Sequence, residues 1–432
     1  MSVSTGALGV LVLFVLLLLR LPVALSLIAV SFGGVAMLLG VTPAIGILAN
    51  TPYSFVANWT LSAVPMFLFM GFVAYHAGLT GGLFEAAKAV LRRIPGALAI
   101  SSVFACSGFA AVCGSSLATA AAMGRIAIPE MVRAGYAPSF AAGAVAAGGT
   151  IGALIPPSIL MIVYGVFAET SVLKVFAGGV TIGVLTALSY AALILLMSWR
   201  RPDLVPPRPL GDAPPAGEAL LAIWPVLLLM ALVFGGLFTG LFTTTEAGAM
   251  GAAGALLISL ATRRLTFAAF RTALIETLAT SASLFFIGVG AAMFTRFLGL
   301  TGLTSFISAA VGGADLGYWH LMLIVVALYL ALGMFMEPFG ALLVTLPVLL
   351  PIFKAEGIDL VWFGVLVVKL LEIGMITPPV GLNVFVIRNV AGEYATTPQI
   401  FRGVLPFLAA DLVVVLIAIA FPALILFLPS GM

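Results

Sequence analysis

Two Pro-Pro pairs, at positions 156–157 and 378–379, lie 222 residues apart in apolar segments that match in register without a gap. At the same offset Gly152 aligns with Gly374. The chain is therefore an internal duplication, and each copy carries a hydrophobic segment broken by Gly and Pro at the same place. In membrane carriers, such paired broken segments are the best sequence indicator of a binding site near the bilayer midplane.

The composition indicates a membrane protein. Hydrophobic residues make up 63% of the sequence and charged residues only 8%, whereas a soluble domain carries about 25% charged residues. Apolar runs close to the roughly 20 residues of a spanning helix recur along the chain. The Lys and Arg residues are scattered over loops, so the net charge of +3 indicates no nucleic-acid surface. We predict an all-α polytopic protein with the lipid bilayer as its solvent.

The duplication divides the chain into two halves and a linker. We predict a first repeat over residues 1–198, a polar, Pro-rich cytoplasmic linker over 199–218, and a second repeat over 219–432. Each repeat is expected to contain five spans and one re-entrant hairpin. The predicted spans are 4–19, 22–40, 61–78, 138–168 and 172–198 in the first repeat, and 219–240, 244–262, 281–298, 358–390 and 404–428 in the second.

The hairpins and the broken helices are the parts of each repeat that reach membrane depth with irregular backbone. We predict hairpins at about 97–130 and 320–353, each entering and leaving from one side of the membrane. The fourth predicted span of each repeat, 138–168 or 358–390, is the broken helix. Irregular backbone at this depth must be buried in protein or line a cavity, so we expect the hairpin tips to meet the breaks.

The distribution of basic residues predicts the orientation. With the N-terminus outside and five crossings in each half, 14 of the 18 basic residues fall on the cytoplasmic side, as the positive-inside rule requires. Because five is odd, the second copy is upside down, which makes an inverted-topology repeat with both termini periplasmic. Basic and apolar residues at helical spacing over 82–95 and 263–278 also predict two amphipathic helices lying flat on the cytoplasmic surface.

The first break has the composition of a cation site. A broken helix exposes carbonyl oxygens, which coordinate Na⁺, and N–H groups, which attract an anion. Glycines let the backbone approach an ion, and small hydroxyl groups on the hairpin tip face the break. We predict a hard-oxygen Na⁺ site made of Gly149, Thr150, Gly152 and Pro156 with Gly114, Ser115 and Ser116. Substrate contacts are predicted for Ser115, Ser116 and Thr119.

The second break is predicted to form a matching site with the second hairpin tip. Its expected Na⁺-binding residues are Gly340, Gly374, Thr377 and Pro378, and its expected substrate-binding residues are Glu337, Glu372, Gly381 and Asn383. The alternative is that Gly and Pro only kink these helices and allow close packing. That explanation suits a single cluster better than two clusters in register.

Three ionisable residues, Glu337, Lys369 and Glu372, lie within otherwise apolar stretches. Such residues are costly in lipid and are functional candidates by default. Lys369 and Glu372 are three residues apart on one helical face, so an internal ion pair is the structural alternative for these two. The sequence contains no Walker motif, nucleophile elbow or zinc pattern, so we expect neither an enzyme nor a cofactor.

Several long motifs resemble the large membrane subunit of the tripartite ATP-independent periplasmic (TRAP) transporters, and the resemblance covers nearly the whole chain. In the first half the motifs lie at 114–119, 128–131, 134–136 and 149–158. In the second half they lie at 346–351, 357–359, 362–364 and 372–383.

The resemblance implies a Na⁺-driven secondary transporter with an elevator mechanism, in which hairpins and broken helices slide together against a scaffold. It implies two partners, a small four-helix membrane subunit and a periplasmic substrate-binding protein. Substrates in the family are mostly organic anions such as dicarboxylates, other carboxylates and sialic acids. It places Ser115, Gly149, Gly152 and Pro156 in a first sodium site, and Gly340, Glu372, Gly374 and Thr377 in a second.

We therefore expect the large permease subunit of a TRAP transporter in a bacterial inner membrane, importing an organic acid with Na⁺ as the coupling ion. The nearest alternative is a one-component divalent-anion/Na⁺ symporter of the same architecture, which needs no binding protein. A channel-like pore and a structural membrane subunit are alternatives of other classes.

Overall fold

The structure is a computed structural model that describes residues 3–206, 215–313 and 317–432. Within these ranges the secondary structure is helical and contains no strand. Part of the predicted linker, 207–214, lies outside the described residues. Residues 199–200 of the linker end the helix Val172–Arg200, and residues 216–218 begin the helix Ala216–Ala222.

The described residues of the first half form ten α-helices and three short 3₁₀ turns. The turns are Trp59–Ser62, Leu79–Gly82 and Ile151–Ala153. The helices are α1 (Val3–Leu18), α2 (Val23–Leu39), α3 (Val41–Val56), α4 (Ala63–His76), α5 (Leu83–Leu91), α6 (Ala97–Cys113), α7 (Ser116–Arg133), α8 (Pro138–Thr150), α9 (Ile159–Phe167) and α10 (Val172–Arg200).

The described residues of the second half form eleven further helices. They are α11 (Ala216–Ala222), α12 (Trp224–Phe238), α13 (Thr244–Ala261), α14 (Phe267–Thr301), α15 (Leu303–Gly313), α16 (Tyr318–Phe335), α17 (Pro338–Ala355), α18 (Leu360–Gly374), α19 (Leu382–Ala391), α20 (Thr397–Ala420) and α21 (Pro422–Ser430).

Helix bounds in the two halves correspond closely at the 222-residue offset. The second arm of the first hairpin, α7, and the second arm of the second hairpin, α17, begin and end at matching positions. The helices α8 and α9 match α18 and α19 within two residues. Helices of the two halves also pack against each other: α4 packs on α13, and α2 packs on α14. Each of these pairs joins one helix of each half, so neither half buries its apolar faces alone.

The broken helices form the centre of the molecule. In α18 every residue from Val361 to Gly374 is buried, and in α8 the same holds from Phe140 to Thr150. By contrast α1 buries only three of its sixteen residues. The irregular segments between α8 and α9 and between α18 and α19 contain the two Pro-Pro pairs, each with a cis peptide bond.

Seven helices in the described part of the chain are long and apolar enough to cross a membrane. They are Trp59–His76, Val172–Arg200, Thr244–Ala261, Phe267–Thr301, Tyr318–Phe335, Pro338–Ala355 and Thr397–Ala420. Two of them, α16 and α17, are the arms of the predicted second hairpin. Six shorter apolar helices, α1 and α2 among them, have 10–17 residues. The molecule is thus an all-helical polytopic membrane protein.

The prediction of a separate surface helix over 263–278 is wrong. The structure has one continuous helix of 35 residues, α14, which includes both that segment and the predicted span 281–298. The matching region of the first half is divided: α3 ends at Val56, and the Asn58 side chain then caps a 3₁₀ turn by accepting from the Thr60 N–H. Residues 272–287 contain no Asn, Asp, Gly or Pro, so the helix continues.

Candidate functional site

Both hairpin tips and both helix breaks line a single cavity of about 260 Å³. The first tip contributes residues 113–118 and the second contributes 337–339. The two breaks contribute Ala153 and Met375 with their flanking residues, and α4 and α14 close the remaining side. Segments more than 200 residues apart in sequence therefore meet at one place.

The first tip is held against the first break by backbone-to-backbone contact. Gly114 has a left-handed φ of +60°, and a Cβ built on it would lie 2.3 Å from the carbonyl oxygen of Pro157. A Cβ built on Gly152 would lie 2.9 Å from the Ser116 Cα and 3.0 Å from the Ser115 carbonyl oxygen. Only glycine fits at these two positions, so the tip and the break form one close-packed unit.

Ser115 begins the second arm of the first hairpin. It is the N-cap of α7, and its Oγ accepts a hydrogen bond from the Ala118 N–H. A serine N-cap satisfies one of the free N–H groups at the start of a helix. Ser116 and Leu117, at the start of this helix, also line the cavity, and the N-terminus of a helix is favourable for an anion.

The second tip has the same construction with a different residue. Glu337 is the N-cap of α17, and its Oε2 accepts from the Gly340 N–H at 3.3 Å. Behind this tip, Gly374 at the end of α18 packs on Gly333 of α16. A Cβ built on Gly374 would lie 2.5 Å from the Gly333 Cα. The second hairpin thus also contacts the second break through glycine.

Glu372 links the first hairpin to the second break. Its Oε2 accepts a hydrogen bond from the Ser116 Oγ at 2.5 Å, and the side chain is 1% exposed. Ser116 lies at the first residue of α7 and Glu372 lies in the last turn of α18. The two halves of the duplication are therefore joined at the cavity by a side-chain hydrogen bond.

The proposed alternative of an ion pair between Lys369 and Glu372 is wrong. Lys369 Nζ instead lies 2.5 Å from Asp411 Oδ1 on α20, and both side chains are 0% exposed. The Tyr190 hydroxyl on α10 donates to Asp411 Oδ2 at 2.7 Å. Glu372 has no part in this ion pair because its carboxylate is turned toward Ser116.

Five of the predicted site residues line the cavity itself: Gly114, Ser115, Ser116, Glu337 and Glu372. Gly149 and Gly152 lie directly behind them, against the backbone of Ser116. Gly340 lies behind the second tip, with its N–H directed to Glu337.

The other predicted residues lie further from the cavity. The hydroxyl groups of Thr119, Thr150 and Thr377 each donate to a carbonyl three or four residues earlier in the chain. Pro156 and Pro378 are the first residues of the cis Pro-Pro pairs. Gly381 caps α19 with a left-handed φ of +58°.

Asn383 is buried between the first broken helix and the second break. Its Nδ2 donates to the Ala146 carbonyl at 3.3 Å, and its backbone N–H donates to the Met375 carbonyl. Its Oδ1 is buried and, among the residues that the structure describes, has no hydrogen-bond partner. An acceptor left without a donor is costly, so this oxygen is available to a ligand.

Two groups of residues were not predicted from the sequence. Thr280, Leu284, Leu68 and Phe72 line the cavity from α14 and α4, and no local motif marks them. Asp411 was detectable, because it is a lone acid in an apolar stretch and the rule applied to Lys369 applies equally to it.

The chain matches known proteins over almost its full length. The family described as "Tripartite ATP-independent periplasmic transporter, DctM component" matches residues 10–424. A C4-dicarboxylate TRAP transporter large permease protein from Pseudomonas aeruginosa is 38% identical over 375 residues, which cover 86% of this chain and 87% of that protein. An ectoine/5-hydroxyectoine TRAP transporter large permease protein from Ruegeria pomeroyi is 33% identical over 422 residues, 97% of each chain.

A solved structure has the same fold with little sequence identity. The YdaH transporter of Alcanivorax borkumensis superposes with a TM-score of 0.63 at 16% identity, and the match covers 89% of both chains. The fold is thus that of a membrane transporter, and the relatives are transporter permeases. From its sequence and from the site that its hairpins and broken helices build, the chain belongs to the DctM component family of TRAP transporters.

Proposed function

We propose that this chain is the large permease subunit of a secondary transporter that imports a small organic acid with Na⁺ across a bacterial inner membrane. A periplasmic binding protein delivers the substrate, and a small membrane subunit completes the complex. Both termini are periplasmic, and the linker over 199–218 is cytoplasmic. The two halves form an inverted-topology repeat that moves its hairpins and broken helices as an elevator.

The observation that carries this proposal is the single cavity shared by two hairpin tips and two helix breaks. A carrier needs one central site that can be exposed to either side. The glycine contacts at Gly114 and Gly152 hold the first tip against the first break, and Gly374 packs on Gly333 in the first arm of the second hairpin. This close packing supports an elevator, in which hairpins and breaks move together.

Oxygen atoms suited to Na⁺ lie between the first tip and the first break and beside the second break. The Ser115 and Ser116 carbonyls approach Gly152 and Gly149 at distances that leave no room for a side chain. The Asn383 Oδ1 is a buried acceptor without a donor in the described part of the chain. These are hard, neutral oxygens, the ligand type that an alkali cation prefers.

Sodium should stabilise the folded chain specifically. In detergent, thermal unfolding measured across Na⁺ concentrations, with K⁺ holding ionic strength constant, should show a rise that only Na⁺ produces. A ligand that binds only the folded state adds about 2.7 kcal/mol at one hundred times its Kd. Ser115→Ala, which removes the hydroxyl group predicted to bind Na⁺ and keeps the carbonyl, should reduce this Na⁺-specific rise.

A matched control separates loss of an ion ligand from loss of a helix cap. Ser171 is the N-cap of α10 and accepts from the Lys174 N–H, away from the cavity lining. Ser171→Ala removes an equivalent cap, worth about 1 kcal/mol, and should leave the Na⁺ response unchanged. Equal responses to Na⁺ and K⁺, in the isolated chain and with the small subunit present, would contradict Na⁺ coupling.

A further inference from the structure

Lys369 has two acids within reach and is paired with the one that is more distant in sequence. Glu372 lies three residues further along the same helix, a spacing that brings two side chains onto one face. Lys369 Nζ instead lies 2.5 Å from Asp411 Oδ1 on α20. The other carboxylate oxygen of Asp411 accepts from the Tyr190 hydroxyl. Both oxygens of Asp411 are therefore occupied, and neither Asp411 nor Lys369 lines the cavity.

Glu372 bonds to the first hairpin because Lys369 is paired elsewhere. Its Oε2 accepts from the Ser116 hydroxyl at 2.5 Å, and both residues line the cavity. Lys369 acts on Glu372 as a positive charge, whereas Glu337 and Asp411 act on it as negative charges. A buried ammonium that lost Asp411 would need another anion. It would turn to Glu372, and the carboxylate would leave Ser116.

The charged residues beside the second break are not needed to build a broken helix. In the first repeat α8 is buried from Phe140 to Thr150 and contains no charged side chain. Buried charges carry a desolvation cost, so their presence in one repeat alone indicates a task other than folding. At the 222-residue offset, the positions of Lys369, Glu372 and Asp411 are occupied in the first repeat by Ala147, Thr150 and Ser189.

We propose that Asp411 is a positioning residue for the cavity, and that it acts by holding Lys369 away from Glu372. With Lys369 held, Glu372 stays bonded to Ser116, and the first hairpin tip stays fixed to the second break. This inference rests on the proposed Na⁺-driven transport and adds a residue outside the cavity to those that control its site. The effect of Asp411 is indirect, because two side chains separate it from the tip.

Three variants distinguish this role from a contribution to stability alone. Asp411→Leu releases Lys369 and should remove most of the Na⁺-specific rise in the unfolding midpoint, measured against the same variant in K⁺. Lys369→Met breaks the same ion pair but leaves no ammonium to capture Glu372, so the full rise should remain. The double variant Lys369→Met/Asp411→Leu should retain the full rise for the same reason.

A milder change keeps the test available if Asp411→Leu does not fold. Asp411→Asn removes the charge but retains the shape of the side chain and an oxygen that can accept from the Tyr190 hydroxyl. It should also reduce the Na⁺-specific rise. Tyr190→Phe is its control, because Asp411 keeps its charge and continues to hold Lys369, so the rise should be unchanged.

A second readout does not depend on Na⁺. Cys113 lies at the first tip, lines the cavity and is 6% exposed, whereas Cys106 is buried within α6. Labelling by N-ethylmaleimide in K⁺, followed by mass spectrometry, compares the two thiols. Asp411→Leu should label Cys113 about fivefold faster than the unaltered chain, as expected when one hydrogen bond that holds the tip is lost. Ser116→Ala removes that bond directly and should act in the same way.

The comparison of the two single variants decides the matter. Slow labelling of Cys113 and a full Na⁺ response in Lys369→Met, with the opposite in Asp411→Leu, support the inference. Equal effects of both variants would overturn it, because only the stability of the pair would then be involved. An unchanged Na⁺ response and unchanged labelling in Asp411→Leu would also overturn it and leave the proposed transporter. If the unaltered chain shows no Na⁺ response, the proposed coupling fails, and the labelling of Cys113 still decides the role of Asp411.

Discussion

Replacing Lys369 alone by methionine, or Asp411 alone by leucine, is expected to lower the free energy of unfolding by about 3–5 kcal/mol. Either change leaves one charge without its partner at a site where both side chains are 0% exposed. The Tyr190 hydroxyl, at 2.7 Å from Asp411, is a dipole and cannot replace the lost ammonium. Unfolding of the purified variants in detergent, followed by circular dichroism, measures the loss.

The double variant Lys369→Met/Asp411→Leu should be much more stable than either single variant. Removing both charges ends their desolvation cost, and replacing a buried pair by apolar residues is often neutral. The partly exposed pair His76–Glu276, with side chains 21% and 42% exposed, is the control, and Glu276→Gln should cost about 0–1 kcal/mol. A loss in the double variant equal to the sum of the two single losses would show that the two charges do not interact energetically.

The positions where the two broken helices are interrupted can be predicted from the sequence because the residues that cause the breaks lie at the breaks. Proline lacks the N–H that continues a helix, and glycine tolerates close approach and unusual backbone angles. The structure ends α8 at Thr150 and begins α9 at Ile159, around the first Pro-Pro pair. It ends α18 at Gly374 and begins α19 at Leu382, around the second. The same local logic places the hairpin turns at Gly114 and Glu337.

The partner of Lys369 was not readable because its cause is tertiary. Spacing along one helix suggested Glu372, which is three residues away. A lysine side chain is long enough to reach a neighbouring helix, and the close approach of α20 brings Asp411 within 2.5 Å of its ammonium. Whether Glu372 or Asp411 pairs with Lys369 depends on how the helices pack, and the residues near Lys369 in the sequence do not show this. The opposing cavity wall from α4 and α14 was missed for the same reason.

The length of α14 is a third case, because the amphipathic pattern over 263–278 predicts a helix but does not show where that helix ends. Basic and apolar residues at helical spacing also occur in the first turns of a spanning helix, where long basic side chains extend to the interface. Neither Gly nor Pro occurs between the two predicted segments, at residues 278–281, so nothing there ends the helix. Amphipathicity alone therefore predicted a helix correctly but not its separation from the next one.

Substituting Gly152 by alanine is expected to destabilise the protein by about 1–3 kcal/mol and to abolish the Na⁺-specific thermal stabilisation. The added Cβ would lie 2.9 Å from the Ser116 Cα and 3.0 Å from the Ser115 carbonyl carbon. These are backbone atoms and cannot rotate away, so the first tip must separate from the break. The oxygens proposed to bind Na⁺ would then no longer face one another. Gly374→Ala should act similarly on the second hairpin through Gly333.

The control is a glycine at which substitution by alanine is expected to raise the stability instead of lowering it. Gly235 on α12 is exposed, and a Cβ built there meets no atom within 4 Å. Alanine is the better helix former by about 0.5–1 kcal/mol, so Gly235→Ala should leave stability unchanged or raise it, with the Na⁺ response intact. If Gly152→Ala retained the full Na⁺ response, the contact between the first tip and the first break would not form the ion site. The sodium proposal would then have to rest on the second break alone, where Gly374 and Asn383 lie.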